Sequence, residues 1–430
     1  MRLTHLIAYN IRALEQLRLA LHPRCTVLAG VNGSGKTTIL DSAAVVLGGF
    51  LLSDAPDGWR REIGDRDVRA VRTDVGNQAG LEPQWPATIH AVAMRETSQL
   101  TWSCGRRSLA SKTVFESSSE DVRRYASPRT LQPFKSKLPL LAHYPSQRLW
   151  RSAPVTDQGV GDRLDGYTGW HDAAAQLTPL RDWIRGQEQT RIQQLALAFE
   201  RGQSPDTVHL PALEAVQRTA ARLIPDATRL RYDVGHQELR VEFKDGRELP
   251  LDFLSAGYRD LVALAGDIAW RAARLNPQLG ADAPQQVEGV VLIDEIELHL
   301  HPAWQRTVLP DLMAAFPGLQ FIVTTHSPQI LASVPAEMVR FLDADGHVHL
   351  VNTAEGLDSN TVLRDLMGVP ERPAAFTQRL AEVAGAIEAG QLQAARAQLD
   401  ALAAQLGPDD PAITALEWEL HDAQSAAAAP

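Results

Sequence analysis

The sequence predicts a mixed α/β fold with an inserted helical region and a helical C-terminal tail, and three observations predict it. Two continuous apolar runs, Gly289 to Ile293 and Leu319 to Val323, flank a helical stretch from Ala303 to Ala315, the pattern of buried parallel strands joined by a crossover helix. A third apolar run, Cys25 to Ala29, leads into a glycine-rich turn and then an Ala-rich helix from Thr37 to Phe50. Helical periodicity takes over from Trp170 to Leu223 and again over 374–424.

A chain of 430 residues suits two or three domains. The composition shifts divide it into an N-terminal lobe (1–155), a helical insertion (156–228), a C-terminal lobe (229–352) and a helical tail suited to docking a partner (353–430). Lys and Arg number 42 against 52 Asp and Glu, a net charge of −10, which excludes a surface that is basic throughout and binds nucleic acid by charge alone. Five of the cations are lysines (Lys36, Lys112, Lys135, Lys137, Lys244), so a lysine inside a glycine-rich loop stands out. Cys25 and Cys104 lie in no CxxC, which excludes a disulfide framework or Cys-rich zinc module and points to a reducing compartment. With no signal-like opening and no apolar run near about 18 residues, the expected location is cytoplasmic, without a membrane span.

In chain order, Arg2 to Asn10 and Arg12 to Leu21 alternate apolar and polar residues as two short strands do. Between Ser53 and Ser152 the sequence reads as irregular, with strand-like runs at Ala87 to Met94 and Leu138 to His143. The helical insertion breaks at Gly202 to Pro205, stops at Pro225, and is too short for a long coiled-coil arm. Arg229 to Phe243 reads as a hairpin, and Ser255 as the cap of a helix running from Arg259 to Leu275. Asp343-Ala344-Asp345-Gly346, between Arg340 to Leu342 and Val348 to Val351, is a hairpin turn. The tail holds three helical stretches broken at Gly390 and Gly407-Pro408, the last opened by Asp409-Asp410-Pro411.

Gly30-Val31-Asn32-Gly33-Ser34-Gly35-Lys36-Thr37 fits G-x-x-x-x-G-K-[ST] between a predicted strand and a predicted helix, the context that this phosphate-binding loop requires. Gly30, Gly33 and Gly35 let backbone N–H groups converge on phosphates, Lys36 reaches the β- and γ-phosphates, and the Thr37 hydroxyl ligates Mg²⁺; Asn32, Ser34 and Thr38 complete the nucleotide-binding set. Such a loop needs an acid at the end of a second strand. Val290 to Ile293 followed by Asp294-Glu295 supplies it, with Asp294 on the metal and Glu295 as general base toward the attacking water. A neighbouring Glu and the absence of a guanine-reading N-K-x-D favour ATP over GTP.

Three further segments occur in an order that resembles the ABC-type P-loop ATPases of the RecF, Rad50 and overcoming-lysogenization-defect kind. Leu254-Ser255-Ala256-Gly257-Tyr258-Arg259 is similar to their signature loop, although Tyr258-Arg259 departs from the Gly-Gln or Glu-Lys of long-armed relatives. Ile296 to Pro302 resembles the D-loop region in its Glu-x-His-x-His-Pro form, and Thr324 to Pro328 resembles the switch loop. The resemblance covers residues 1 to about 50 and about 245 to 350 by motif, and Asn10-Ile11-Arg12 looks like the family's opening. It implies an ABC-type head in which Ser255 and Gly257 of a second copy contact the γ-phosphate, His326 senses it, and sites are composite across a homodimer or higher homo-oligomer. Gln78 and Gln84 are both candidates for the Q-loop glutamine that the resemblance implies.

The stand-alone arrangement, with Gly368 to Pro373 before a helical tail, is most similar to ATPases of Septu and retron anti-phage defence systems. That resemblance implies an ATP-driven sensor or regulator holding an HNH-type nuclease encoded nearby. The alternative is a RecF/Rad50-like ATPase that binds DNA in repair or maintenance. Arg60-Arg61, Arg106-Arg107, Arg123-Arg124, Lys135, Lys137 and Arg148 to Arg151 keep nucleic acid in play, against the reading of a solvated face. Trp150 and Tyr144 read as core. His299 and His301 could share a metal, but without a nearby third ligand they read as a structural D-loop. The D-x-D at Asp343 and Asp345 precedes too few residues for a Toprim nuclease, so no intrinsic nuclease is expected.

Overall fold

The alternating opening of the chain folds as two antiparallel strands, β1 (Arg2–Ile11) and β2 (Leu14–Ala20). The apolar run after them is β3 (Cys25–Gly30), and helix α1 (Lys36–Leu51) leaves its end across the glycine-rich turn. This computed structural model describes residues 1–51, 59–75, 78–95, 97–117, 136–147, 162–175 and 178–428.

The stretch read as irregular is strand-rich: β4 (Ala70–Val75), β5 (Gln78–Pro83), β6 (Ala87–Arg95), β7 (Ser98–Arg106), β8 (Val114–Ser117) and β9 (Leu140–Tyr144). In β7 the inward set is Leu100, Trp102 and Cys104, a period-two pattern masked in the sequence by the outward Ser, Thr and Gly. The insertion forms α2 (Thr178–Glu200) and α3 (Pro211–Ala221), and the hairpin forms β10 (Ala227–Asp233), β11 (Glu238–Phe243) and the added strand β12 (Glu248–Pro250). Helix α4 (Ala256–Leu275) starts directly after Ser255, earlier than its apolar periodicity suggests. Ser255 occupies the N-cap position, but its hydroxyl makes no capping hydrogen bond.

The buried runs are β13 (Gly289–Ile293) and β14 (Leu319–Thr324), parallel neighbours as expected. The helix between them is broken into a turn, Pro302–Gln305, and α5 (Val308–Ala315). Pro310 explains the break: it has no N–H to give, and its ring would clash with the carbonyl of residue 306 in a continuous helix. Strands β15 (Val339–Leu342) and β16 (Val348–Leu350) form the hairpin about Asp343 to Gly346.

Two sheets result. A six-stranded sheet has the order β16-β15-β3-β14-β13-β9, parallel apart from its edge strand β16, and every residue of β3, β9, β13 and β14 is buried. An antiparallel sheet has the order β2-β1-β6-β7-β8, and α1 packs against strands of both. Gln320, fully buried in β14, joins them: its Oε1 accepts the Leu3 N–H (2.7 Å), and its Nε2 donates to the carbonyls of Leu3 (2.8 Å) and His22 (2.9 Å). A buried amide is tolerated there because each of these groups finds a partner. Cys25 and Cys104 are both buried, and burial pushes each thiol up to about 12.

The chain divides into two units, Met1–Ser359 and Asn360–Pro430. Within the second, α6 (Ala374–Glu388), α7 (Leu392–Leu406) and α8 (Pro411–Ala428) close over Val383, Leu399, Leu402, Ile413 and Leu420. Asp410 acts as the sequence suggests, its Oδ1 accepting the Ala412 N–H (2.9 Å) and pairing with Arg372 (2.8 Å). No helix among the described residues is long and apolar enough to cross a membrane.

At the end of β9, the Tyr144 hydroxyl donates to Asp267 Oδ2 (2.6 Å), which also receives the Arg271 Nε–H (2.7 Å). Arg271 Nη1 donates to the carbonyls of Gly166 (2.8 Å) and Thr168 (3.1 Å). Burial, then the adjacent Asp267 charge, raises the Tyr144 phenol well above its ordinary value. Asp267→Ala leaves the Arg271 charge buried without its counter-charge, so a loss of about 3–5 kcal/mol is expected in urea unfolding. Leu399→Ala, in the separate tail core, is expected to cost about 2–5 kcal/mol for the lost packing.

Candidate functional site

Strand order builds the site. Because β14 lies between β3 and β13, the carboxyl ends of these parallel strands bring the glycine-rich loop, Asp294 and the Thr324 to Ser327 turn together. Gly30 pairs with Leu342 of β15 at φ 145°, and a Cβ there would lie 2.1 Å from the Leu342 carbonyl oxygen. No other residue fits. Helix α1 starts at Lys36, so the N–H groups of its first turn are left pointing out of the helix N-terminus toward the loop. The buried Ser34 Oγ has no hydrogen-bond partner.

Lys36 Nζ lies over the loop, donating to the carbonyls of Gly30 (3.0 Å) and Val31 (2.8 Å). Burial lowers its pKa, opposed by Asp294, Glu295 and Glu297. Thr37 Oγ1 donates across to the Asp294 carboxylate (3.1 and 3.2 Å), which the Thr324 hydroxyl also approaches, at 2.5 Å. Thr324 Oγ1 in turn accepts the Glu295 N–H (2.7 Å), and Glu295 takes a left-handed φ of 47°. The set fits a magnesium nucleotide: a glycine loop at a helix N-terminus, an unpaired hydroxyl, an ammonium, and a hydroxyl beside a carboxylate. Asn32 sits in the loop and Thr38 in the first turn of α1.

Glu297 is a residue the motif reading left without a role. Its Oε2 accepts the Thr325 hydroxyl (2.8 Å) and its Oε1 accepts the His326 backbone N–H (2.5 Å). His326 is half-buried. Burial and the Lys36 charge hold its pKa below the ordinary histidine value, partly offset by Glu297, Glu295 and Asp294.

The loop carrying Ser255 and Gly257 packs on the residues after Glu295 in the same chain. A Cβ on Gly257 would lie 2.6 Å from the His299 carbonyl oxygen, the Tyr258 and Trp304 rings lie 4.4 Å apart, and His299 Nδ1 is 2.7 Å from Asp260 Oδ2. Ser255 is exposed. His301 Nδ1 accepts the Ala303 N–H (3.3 Å) and caps the Pro302–Gln305 turn, so the two histidines serve different partners.

An open cleft of about 690 Å³ beside the site is lined by Thr37, Asp41, Arg61, His143, Gln147 and Asp294 among others. Gln147 follows β9, the neighbour of β13, and lines this cleft. Gln84 instead donates to the Glu82 carbonyl (3.1 Å), and Gln78 opens β5 with its side chain outside the described set. The sequence signal for Gln147 was its place just past an apolar strand. Arg12 pairs with Asp41 and Asp67 (2.6 Å each), and Asp41 also holds Arg61 (2.5 Å).

Of the cationic groups, Arg61 is thus paired, Arg60 lies over the Phe115 ring, and Arg106 binds Asp65 (2.6 Å) and backbone carbonyls. Arg107 and Lys137 are exposed; Arg123, Arg124, Lys135, Arg148, Trp150 and Arg151 lie outside the described residues. Tyr144 is core, as expected. Asp343 holds its hairpin turn by accepting the N–H groups of Asp345 (3.0 Å) and His347 (2.9 Å).

The family model described as "AAA domain, putative AbiEii toxin, Type IV TA system" matches residues 25–332. The chain is 25% identical over 390 residues to the retron Vc95 probable ATPase of Vibrio cholerae serotype O1 biovar El Tor, covering 80% of this chain and 73% of that one. It is 32% identical over 219 residues to the retron Ec83 probable ATPase of Escherichia coli, covering 50% of this chain and 40% of that one. It is 38% identical over 113 residues to the Septu protein PtuA of Bacillus mycoides strain KBAB4, covering 26% of this chain and 15% of that one.

The geometry sets a titration. His326 is expected to be neutral at pH 7, with an NMR midpoint below the ordinary imidazole value. Lys36→Ala removes a cation facing it, so the midpoint is expected to rise toward that value.

Proposed function

The chain belongs to the AAA-domain family whose model spans residues 25–332, and from that premise we propose that it binds and hydrolyses ATP as the sensor or regulator of a bacterial anti-phage defence system, controlling a nuclease. The observation that carries the ATPase reading is the convergence of Lys36, Thr37, Asp294, Glu295 and the His326 loop at the ends of three adjacent strands. The defence assignment rests on likeness to relatives named as retron ATPases and a Septu protein.

In this reading the N–H groups of Gly33 to Thr38 and the Ser34 hydroxyl bind the phosphates, and Lys36 turns from its loop carbonyls to the β- and γ-oxygens. Mg²⁺ held by Thr37 and Asp294 would neutralise charge on the β- and γ-phosphates. Glu295 takes the proton of the attacking water. His326, neutral near pH 7, offers a hydrogen bond to the γ-phosphate without a fixed charge. Gln147 is the glutamine that reaches the metal side from β9. Ser255 and Gly257 serve the nucleotide of a second copy; the exposed, uncapped Ser255 hydroxyl supports that role. Arg61 and Arg106, paired within the chain, lend the DNA-maintenance alternative no support.

Lys36→Ala is expected to abolish ATP binding in calorimetry. Glu295→Gln should retain ATP, lose about 10²–10⁴ in turnover, and accumulate as a dimer by light scattering with ATP present. Undiminished turnover in Glu295→Gln would remove it as the base. The defence reading is tested by purifying the chain with the product of its neighbouring gene and measuring mass and ATPase rate with and without duplex DNA. A stable complex with a nuclease and little DNA stimulation is expected; a lone dimer strongly stimulated by DNA would favour repair.

A further inference from the structure

Three acidic residues, Asp294, Glu295 and Glu297, are bonded to the switch loop, and the reaction as proposed uses the first two. We infer that Glu297 is a positioning residue for ATP hydrolysis, acting through His326 by fixing the backbone that aims its imidazole. The inference rests on the ATPase reading and adds to it. Residues 294–297 and 324–326 are laced by five hydrogen bonds, from Thr324 Oγ1 to Asp294, Glu295 N to Thr324 Oγ1, Ile296 N to the Thr324 carbonyl (3.1 Å), and Thr325 Oγ1 and His326 N to Glu297. The first three set the strand end. The last two bind Glu297 to the backbone of His326 and to the side chain of the residue before it.

Their chemistry requires a carboxylate. Glu297 presents one acceptor oxygen to each of two donors, and both bonds are charge-assisted. Thr325 is fully buried and its hydroxyl also accepts the Ser327 N–H (2.9 Å), so its own proton is committed to Glu297. A glutamine has one acceptor oxygen and an NH₂ group, which sets a donor against one of these donors. The loop would then lose one of its two bonds to Glu297, while Lys36, Thr37 and Asp294 keep their places.

The test is a double-mutant cycle on ATP turnover with Glu297→Gln, His326→Ala and the pair together. Each single change is expected to lower kcat roughly tenfold or more with KM within about twofold, and the pair should turn over about as slowly as His326→Ala alone. Glu297→Asp, which keeps two acceptor oxygens, should recover part of kcat. Multiplying losses in the pair, a rise in KM matching the fall in kcat, or equal rates for Asp and Gln would overturn the role of Glu297. Lys36→Ala keeps the two readings apart: turnover that survives it counts against the ATPase reading, whereas turnover lost with it, beside multiplying losses in the cycle, counts against Glu297 alone.

Discussion

The Asp294 carboxylate is 2% exposed, and such a charge survives burial only where donors surround it. Thr37 reaches it from the glycine-rich loop and Thr324 from the end of β14. These two hydroxyls tie three separate strand ends to one carboxylate, and the first is delivered by sheet order rather than by sequence proximity, since 257 residues separate Thr37 from Asp294. The parallel sheet, with every residue of β3, β9, β13 and β14 buried, makes that delivery rigid.

Much of this was legible in the chain itself. Gly30 to Thr37, Val290 to Glu295 and Thr324 to Pro328 each pair an apolar strand with a polar terminus, and that conjunction survives reading without coordinates. The fully buried strands were legible for the same reason. What escaped was whatever depended on non-local partners. β7 hides its inward Leu100, Trp102 and Cys104 among small polar residues, and Gln147 gains meaning only when β9 is found beside β13. Glu297 looks like one acid in a string of Glu and His until the fold brings Thr325 and His326 against it.

The basic groups show how a count along the chain can mislead. As pairs in sequence they suggest a phosphate-binding surface, and two of the described ones, Arg61 and Arg106, spend donors on Asp41, Asp65 and backbone carbonyls. Charge counted along a chain overstates charge presented at a surface wherever long side chains fold back on their own scaffold.

The segment from Glu295 to Trp304 contains no glycine, and two of its residues, Glu295 (φ 47°) and His299 (φ 61°), sit in the left-handed region where a side chain leaves little freedom. One end is bonded to the Thr324 to His326 turn; the other is clamped to the loop bearing Ser255 by Asp260, Gly257 and the Tyr258–Trp304 contact. Such a segment behaves as a connecting rod. A displacement imposed on either loop is transmitted to the other instead of dissipating in a soft hinge, so the two ends of this short stretch keep time with one another.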